Sequence, residues 1–373
     1  MDSEYPKRVV VCGGGVIGVC TAYFLAKNGA AVTVVEKCSI GCAASGKAGG
    51  FLAFDWCDGG PLECLARASF DLHRSLAEEL DGAFLYGYRA LTALSVTFTK
   101  GENGGTSGGR SGSLPHWVTG QGRSAKEIGS SKTTAQLDPL LFTRTVFDAA
   151  MERFKVKVVI GKVERIAAVD GGGESVILEG GRVLEADGVV LAMGPWSGKF
   201  PLLKDLFRVY GLKAHSIVLK PKELVTPHAL FLTYYSARGE KPMDPEVYPR
   251  PTGEVYLCGM SSEVELPDDP EEVLPDPGAI RVLKQVAETV STHLAEEEAQ
   301  VIVEQACFLP CTEDDIPVIG EIPGVKNCYV ATGHSCWGIL NAPATGAGMA
   351  ELVLYGKSSI VDLSPFSPSR YAK

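Results

Sequence analysis

The stretch "RVVVCGGGVIGVCTAYFLAKNGAAVTVVEK", Arg8 to Lys37, decides the fold. Arg8 to Cys12 is an apolar, strand-like run, and a glycine turn follows it. Val16, Cys20, Tyr23 and Phe24 then fall on one stripe of a helix that Gly29 closes. Ala31 to Val35 reads as a second strand ending at Glu36, which completes a βαβ opening. The turn carries Gly13-x-Gly15-x-x-Gly18, with Val16 and Ile17 opening the helix. Glycines at this spacing permit a tight turn, close approach of a pyrophosphate to the backbone, and close packing of helix on strand. The helix N-terminus supplies partial positive charge to phosphates. Glu36, with Lys37 after it, can accept hydrogen bonds from ribose hydroxyls. Strand, turn, helix and acid together point to a dinucleotide.

Three further stretches extend that reading. "ASGKAGG", Ala44 to Gly50, follows Glu36 closely. Ala44, Ser45, Gly46, Gly49 and Gly50 leave room for a second phosphate or a flat ring, which a longer, bent dinucleotide requires. "EADGVVLAMGPWSG", Glu185 to Gly198, is a buried strand ending in a turn at Gly194 and Trp196. "CFLPCTEDDIPVIG", Cys307 to Gly320, places three acids between apolar runs. It leads to "YVATGHSCWGILNAPATGAGMAEL", in which a strand over 327–332 precedes a helix over 342–355. Asn341 is the expected N-cap of that helix and Pro343 its first turn.

Between these stretches, helices are predicted over 63–80, 140–153 and 278–295, and strands over 156–166, 175–178, 188–193 and 210–219. Glu246 to Gly259 reads as a hairpin with a Pro-Thr-Gly turn. The acidic, proline-rich 263–277 reads as a loop, and the Gly/Ser-rich 99–123 as a mobile loop outside the core.

The 373 residues allow two domains. The net charge of −10 and the absence of a basic stripe exclude a nucleic-acid partner. No apolar run reaches the ~18 residues of a membrane span. The first eight residues, "MDSEYPKR", run directly into the first strand and leave no room for a leader peptide. Eleven cysteines, an odd number, are expected as reduced thiols of a cytoplasmic protein. Cys38 with Cys42 and Cys307 with Cys311 lack accompanying histidines, so no metal is expected.

In this order, the four stretches resemble the D-amino-acid-oxidase family of FAD-dependent oxidoreductases, in its glycine-oxidase and sarcosine-oxidase branch. The resemblance is densest at 8–52, 138–198 and 305–356. It implies an α/β architecture: a doubly wound, Rossmann-like FAD-binding domain from 1–85, 138–208 and 305–373. An α+β substrate domain with a mainly antiparallel sheet would take 86–137 and 209–304, with the flexible loop at about 100–124. Gly13, Gly15, Gly18 and Glu36 would hold the ADP half of FAD, and Val163 would meet the adenine. Gly333, His334, Gly338, Ile339 and Leu340 would lie at the isoalloxazine, with the last helix aimed at its N1–C2=O edge. Cys307 stands five residues before Thr312, the register at which sarcosine oxidases bond a cysteine to the flavin; a plain buried thiol is the alternative.

The chain also departs from the family. Where relatives carry an arginine for the substrate carboxylate it has Leu309, and where sarcosine oxidases carry a lysine it has Leu340. Arg250 and Lys47 are the candidate replacements, with a salt bridge as the alternative role of Arg250. His334 is a candidate base or a ring-packing residue. The implied activity is oxidation of a C–N bond of an amine or amino-acid-like substrate by hydride transfer to flavin N5. Molecular oxygen or another acceptor would take the electrons, giving hydrogen peroxide when it is oxygen. The rival readings are a flavin-fold regulatory or scaffold protein and a plain nicotinamide-dependent dehydrogenase.

Overall fold

Strand β1 (Arg8–Cys12), helix α1 (Val16–Lys27) and strand β2 (Ala31–Glu36) form the βαβ unit that the opening glycines predict. The computed structural model describes residues 6–101, 114–169, 173–237 and 239–372. Helix α2 (Glu63–Glu79) follows, then β3 (Thr92–Thr99), β4 (Arg123–Gly129) and α3 (Pro139–Phe154). Next come β5 (Lys157–Ile160), β6 (Gly188–Leu191), β7 (Val209–Pro221) and β8 (His228–Tyr235). The hairpin strands β9 (Glu246–Pro249) and β10 (Val255–Glu263) precede α4 (Pro277–Val290) and the long β11 (Ala299–Thr312). Strands β12 (Val318–Glu321) and β13 (Cys328–Thr332) lead into α5 (Gly338–Tyr355).

Two large sheets organise these elements. The first has the order β12-β13-β6-β1-β2-β5 and is parallel except for β12. Both its faces are covered, so β1 and β6 are apolar throughout rather than alternating. The second has the order β11-β7-β10-β9-β8-β3-β4 and is antiparallel except where β8 runs beside β3. One of its faces packs on α4 through Ile217, Val247 and Leu257. The other looks toward the first sheet.

Helix α1 is buried on nearly every side because α5 crosses it closely. A Cβ on Gly346 would stand 2.5 Å from the Cys20 carbonyl carbon, so only glycine admits that approach.

Three expectations change. The single strand over 156–166 is two strands: β5 pairs with β2, Gly161 donates to the Glu36 carbonyl, and Val163–Val169 joins a separate small sheet. Residues 102–113 of the stretch expected as a mobile loop, 99–123, lie outside the described residues. At its far end Trp117 and Val118 are buried in the second sheet's core, held by the Ser291 hydroxyl donating to the Trp117 carbonyl. The third change concerns the start of the last helix.

Candidate functional site

The C-terminal ends of β1, β2 and β6 open on a cleft of about 460 Å³, where doubly wound sheets take ligands. Three separated parts of the chain wall it. Gly13, Gly15, Val16, Ile17, Glu36, Lys37, Ala44 and Ser45 come from the first, and Val163, Gly194 and Trp196 from the second. His334, Gly338 and Ile339 come from the last. Leu309 and Pro310 of β11 and the Ser335–Cys336 turn join them.

Other predicted positions serve packing instead. A Cβ on Gly18 would meet the Gly13 carbonyl oxygen at 2.0 Å, and one on Gly46 the Gly41 carbonyl oxygen at 2.2 Å. Gly49 faces the Tyr248 ring, Gly50 the Leu137 carbonyl, and Gly333 the Thr312 methyl. Leu340 is buried in the helix core and does not line the cleft.

Glu36 is buried, and its carboxylate accepts the Gly14 N–H at 2.7 Å and the Cys38 N–H at 2.9 Å. Cys38 and Cys42 close on it, so the three side chains form a compact cluster. Desolvation pushes the Cys38 thiol up to about 12 and raises that of Cys42, which keeps both thiols protonated beside the carboxylate.

The acidic loop 264–276 was legible only as a loop. It straps the cleft, placing Asp268 and Pro270 in its wall. Lys37 pairs with Asp269 at 2.7 Å, Lys199 with Asp268 at 2.6 Å, and the Trp196 indole donates to the Pro267 carbonyl.

The head of α5 differs from expectation. The helix begins at Gly338, and Asn341 is not its cap but a fully buried residue with both amide atoms unpartnered. Pro343 therefore lies inside the helix, where it has no N–H for the Ile339 carbonyl. Helix α2 repairs the break. His73 Nε2 donates to the Ile339 carbonyl at 2.8 Å, and the Ala344 N–H donates to Ser69 Oγ at 3.0 Å. Burial brings His73 down to about 4, so it stays neutral with its proton on Nε2.

Residues 8–352 match the model of the DAO family, FAD dependent oxidoreductase. The chain belongs to the FAD-dependent oxidoreductase family. It is 30% identical over 391 residues to an oxidoreductase of Schizosaccharomyces pombe, covering 97% of this chain and 98% of that protein. It is 26% identical over 391 residues to the glycine oxidase of Geobacillus kaustophilus, covering 97% of each. The crystal structure of that glycine oxidase superposes with a TM-score of 0.78 at 24% identity, over 98% of this chain and 99% of that one. The likeness covers both sheets, so the expected α/β fold with an antiparallel second sheet holds.

The cleft suits the FAD of this family. A Cβ on Gly13 would overlap the Ala192 carbonyl oxygen at 2.2 Å, and Gly13 has a φ of +118°. The α1 N-terminus has no acid in its first turn; the Val16 N–H donates to Ser45 Oγ at 2.9 Å, and the end of the helix faces the cleft, as an anion site requires. His334 Nδ1 is buried in the cleft wall without a partner, while Nε2 lies 3.1 Å from the Thr345 hydroxyl.

The candidates for substrate chemistry are differently placed. Desolvation brings His334 down to about 3, so its ring is neutral near neutral pH. Arg250 pairs with Asp138 at 3.0 Å, both side chains only 13% exposed, and its guanidinium also lies over the Tyr256 ring. Its charge is already matched, inside the protein rather than at the surface. Lys47 Nζ donates to the Ala306 carbonyl at 3.1 Å. Beside it, burial pushes the Cys307 thiol up to about 11, partly offset by Lys47. In the acidic bend Glu313, Asp314 and Asp315 are exposed, and Asp314 pairs with Arg370 at 2.8 Å. The bend thus tethers the C-terminal segment.

Proposed function

We propose that the chain oxidises a C–N bond of an amine or amino-acid-like substrate in the space between its two sheets. The observation that carries this reading is the cleft itself, walled by glycine-lined backbone from three distant stretches. The glycine oxidases among its relatives support the substrate type. We take 1–85, 138–208 and 305–373 as the cofactor unit, and 86–137 with 209–304 as the substrate unit.

In this reading Gly13, Gly15 and the N-terminus of α1 receive the pyrophosphate, Glu36 the ribose hydroxyls, and Val163 the adenine. Ser45 and Ala44 continue the path toward the ring, and Gly338 with Ile339 present the positive end of α5 to it. When bound, FAD would supply the hydride acceptor, with molecular oxygen as the terminal electron acceptor and hydrogen peroxide as its product. His334 keeps a neutral ring in the wall. Leu309 and the aromatic face opposite exclude water, so the protein contributes orientation and a dry setting. Eleven unpaired thiols suit a reducing compartment such as the cytoplasm.

The test is purification followed by a visible spectrum and anaerobic titration with secondary amines, D-amino acids and glycated amines. A flavin band that one of these compounds bleaches supports the proposal. A colourless protein that cannot be reconstituted with FAD rejects it. An aerobic peroxide assay then separates oxidase from dehydrogenase.

A further inference from the structure

The face of the second sheet that looks toward the cofactor cleft has an unusual charge pattern. A cross-strand row runs Phe231, Glu246, Cys258, Ser216, Gln305 from β8 to β11. The neighbouring pair Tyr248 and Tyr256 packs against Gly49 of the small-residue loop. Gln305 donates to the Lys47 carbonyl of the same loop, so this face closes directly on the cofactor side. Burial raises the Cys258, Tyr248 and Tyr256 groups well above their usual ranges, so Glu246 is the acid among these seven that a neighbouring cation would hold ionised.

Among the described residues no cation is paired with Glu246. One carboxylate oxygen accepts the Tyr248 hydroxyl and the Cys258 thiol; burial raises the carboxyl above its usual range, and the negative charge of Asp244 adds to that. Arg250 is spent on Asp138, and Arg89 donates to the Pro249 carbonyl and the Gln136 amide oxygen. Lys47 acts on Cys42 and Cys307 instead. Glu246 is half-buried, as are the Phe51, Phe231, Trp56 and Trp337 rings of the aromatic cluster that begins beside it. Phe231 stands directly across from Glu246, with its ring centroid 5.0 Å from that of Phe51 and 4.8 Å from that of Trp56. Trp337 is 6.5 Å from Trp56, and the adjoining Cys336 lies in the cofactor cleft. Aromatic faces and an unpaired carboxylate attract a cation, whereas a carboxylate ligand would meet a like charge here and no partner.

We propose that this aromatic pocket takes a cationic amine without a carboxylate, with Glu246 as its counter-ion. The proposal rests on the reading of the chain as a C–N oxidising flavoprotein and narrows its substrate class. Glu246 is then a specificity residue, and Leu309 is the apolar remainder of a carboxylate site that this chain does not use.

The test uses the purified holoprotein and three probes of similar size: benzyltrimethylammonium, benzyl alcohol and benzoate. Binding is followed by tryptophan fluorescence, since Trp56 and Trp337 belong to the pocket, and by perturbation of the flavin spectrum. The cation is expected to bind at least tenfold more tightly than benzoate. Glu246→Gln keeps an acceptor for the Tyr248 hydroxyl and should weaken the cation at least tenfold with flavin content unchanged. Glu246→Asp should recover part of the loss. Equal or tighter binding of benzoate, or of glycine as substrate analogue, overturns the proposal, above all if Lys47→Met abolishes it. So does a Glu246→Gln variant that binds the cation within twofold of wild type. A protein that quenches with the cation yet carries no flavin would reject the redox reading and leave the pocket assignment standing. A flavin bleached by glycine without cation binding would do the reverse.

Discussion

Arg250 and Asp138 illustrate how much a single residue can carry here. Removing one partner of a buried ion pair leaves the other charge uncompensated, which typically costs about 3–5 kcal/mol. Arg250→Ala should therefore lower stability by about that amount in urea titration, and Arg250→Lys by less; an unchanged midpoint would show that the pair contributes nothing. Asp314 gives a pH-dependent case. Desolvation alone would raise its carboxyl, but Arg370, the Tyr371 hydroxyl and the Ile316 N–H outweigh it and bring it down to about 2. Its folded value lies below the unfolded one of about 3.9. Its contribution is thus present above that unfolded value and lost as pH falls from about 4 through about 2. Asp314→Asn should remove this part of the acid transition and make the tail beyond Ser364 more susceptible to carboxypeptidase at neutral pH. Cys307 supplies a third expectation. A thiol held protonated by burial is a poor nucleophile, so acid precipitation should leave the yellow colour in the supernatant, and a coloured pellet would show a covalent bond. Of these residues the sequence singled out Arg250 and Cys307 by position. It could not show that Asp138, 112 positions before Arg250 (250 − 138), neutralises the guanidinium.

Helix α5 shows the same contrast one level up. Its glycines and the Asn341–Pro343 pair look like a helix start, because local rules put asparagine at caps and proline in first turns. The helix begins four residues earlier, at Gly338 rather than 342, because α2 supplies the hydrogen bonds that proline removes, and His73 lies 266 positions from Ile339. No local pattern encodes such a repair. It makes a coupled prediction. His73→Leu should cost about 1–3 kcal/mol by leaving the Ile339 carbonyl unpaired. In a Pro343→Ala background the helix regains its own N–H, and the same substitution should cost markedly less. A double-mutant cycle by thermal or urea unfolding reads this directly, and strictly additive effects would refute the repair. By contrast, β1, α1 and β2 were legible to within a residue or two, since strand, turn and helix follow one another within 29 residues (8 to 36). Strands β3 and β8 were not assigned, for they pair with each other across more than a hundred residues. Trp117 was hidden by the Gly/Ser-rich sequence before it.

Across the whole molecule, the cleft has no single owner in sequence. A ligand that binds only the assembled fold stabilises it by mass action, by about 2.7 kcal/mol at a free concentration of 100 times its Kd. Added FAD should therefore raise the unfolding temperature of apoprotein progressively, and a melt insensitive to FAD would contradict a cleft that exists only in the folded chain. The family fold and the cofactor could be read from sequence because glycine spacing reports directly on backbone contacts. The strap at 264–276 and the charge pattern on the second sheet could not, since both depend on which strands lie side by side. That interleaving also sets an order of events during synthesis. The first sheet places β1, made early, between β2 and β6, and reaches its far edge only with β13 and β12; α5 then closes over α1. A ribosome must deliver nearly the entire polypeptide before the yellow cofactor has anywhere to settle, so the nascent amino-terminal glycine turn waits, empty-handed, for the carboxyl-terminal helix.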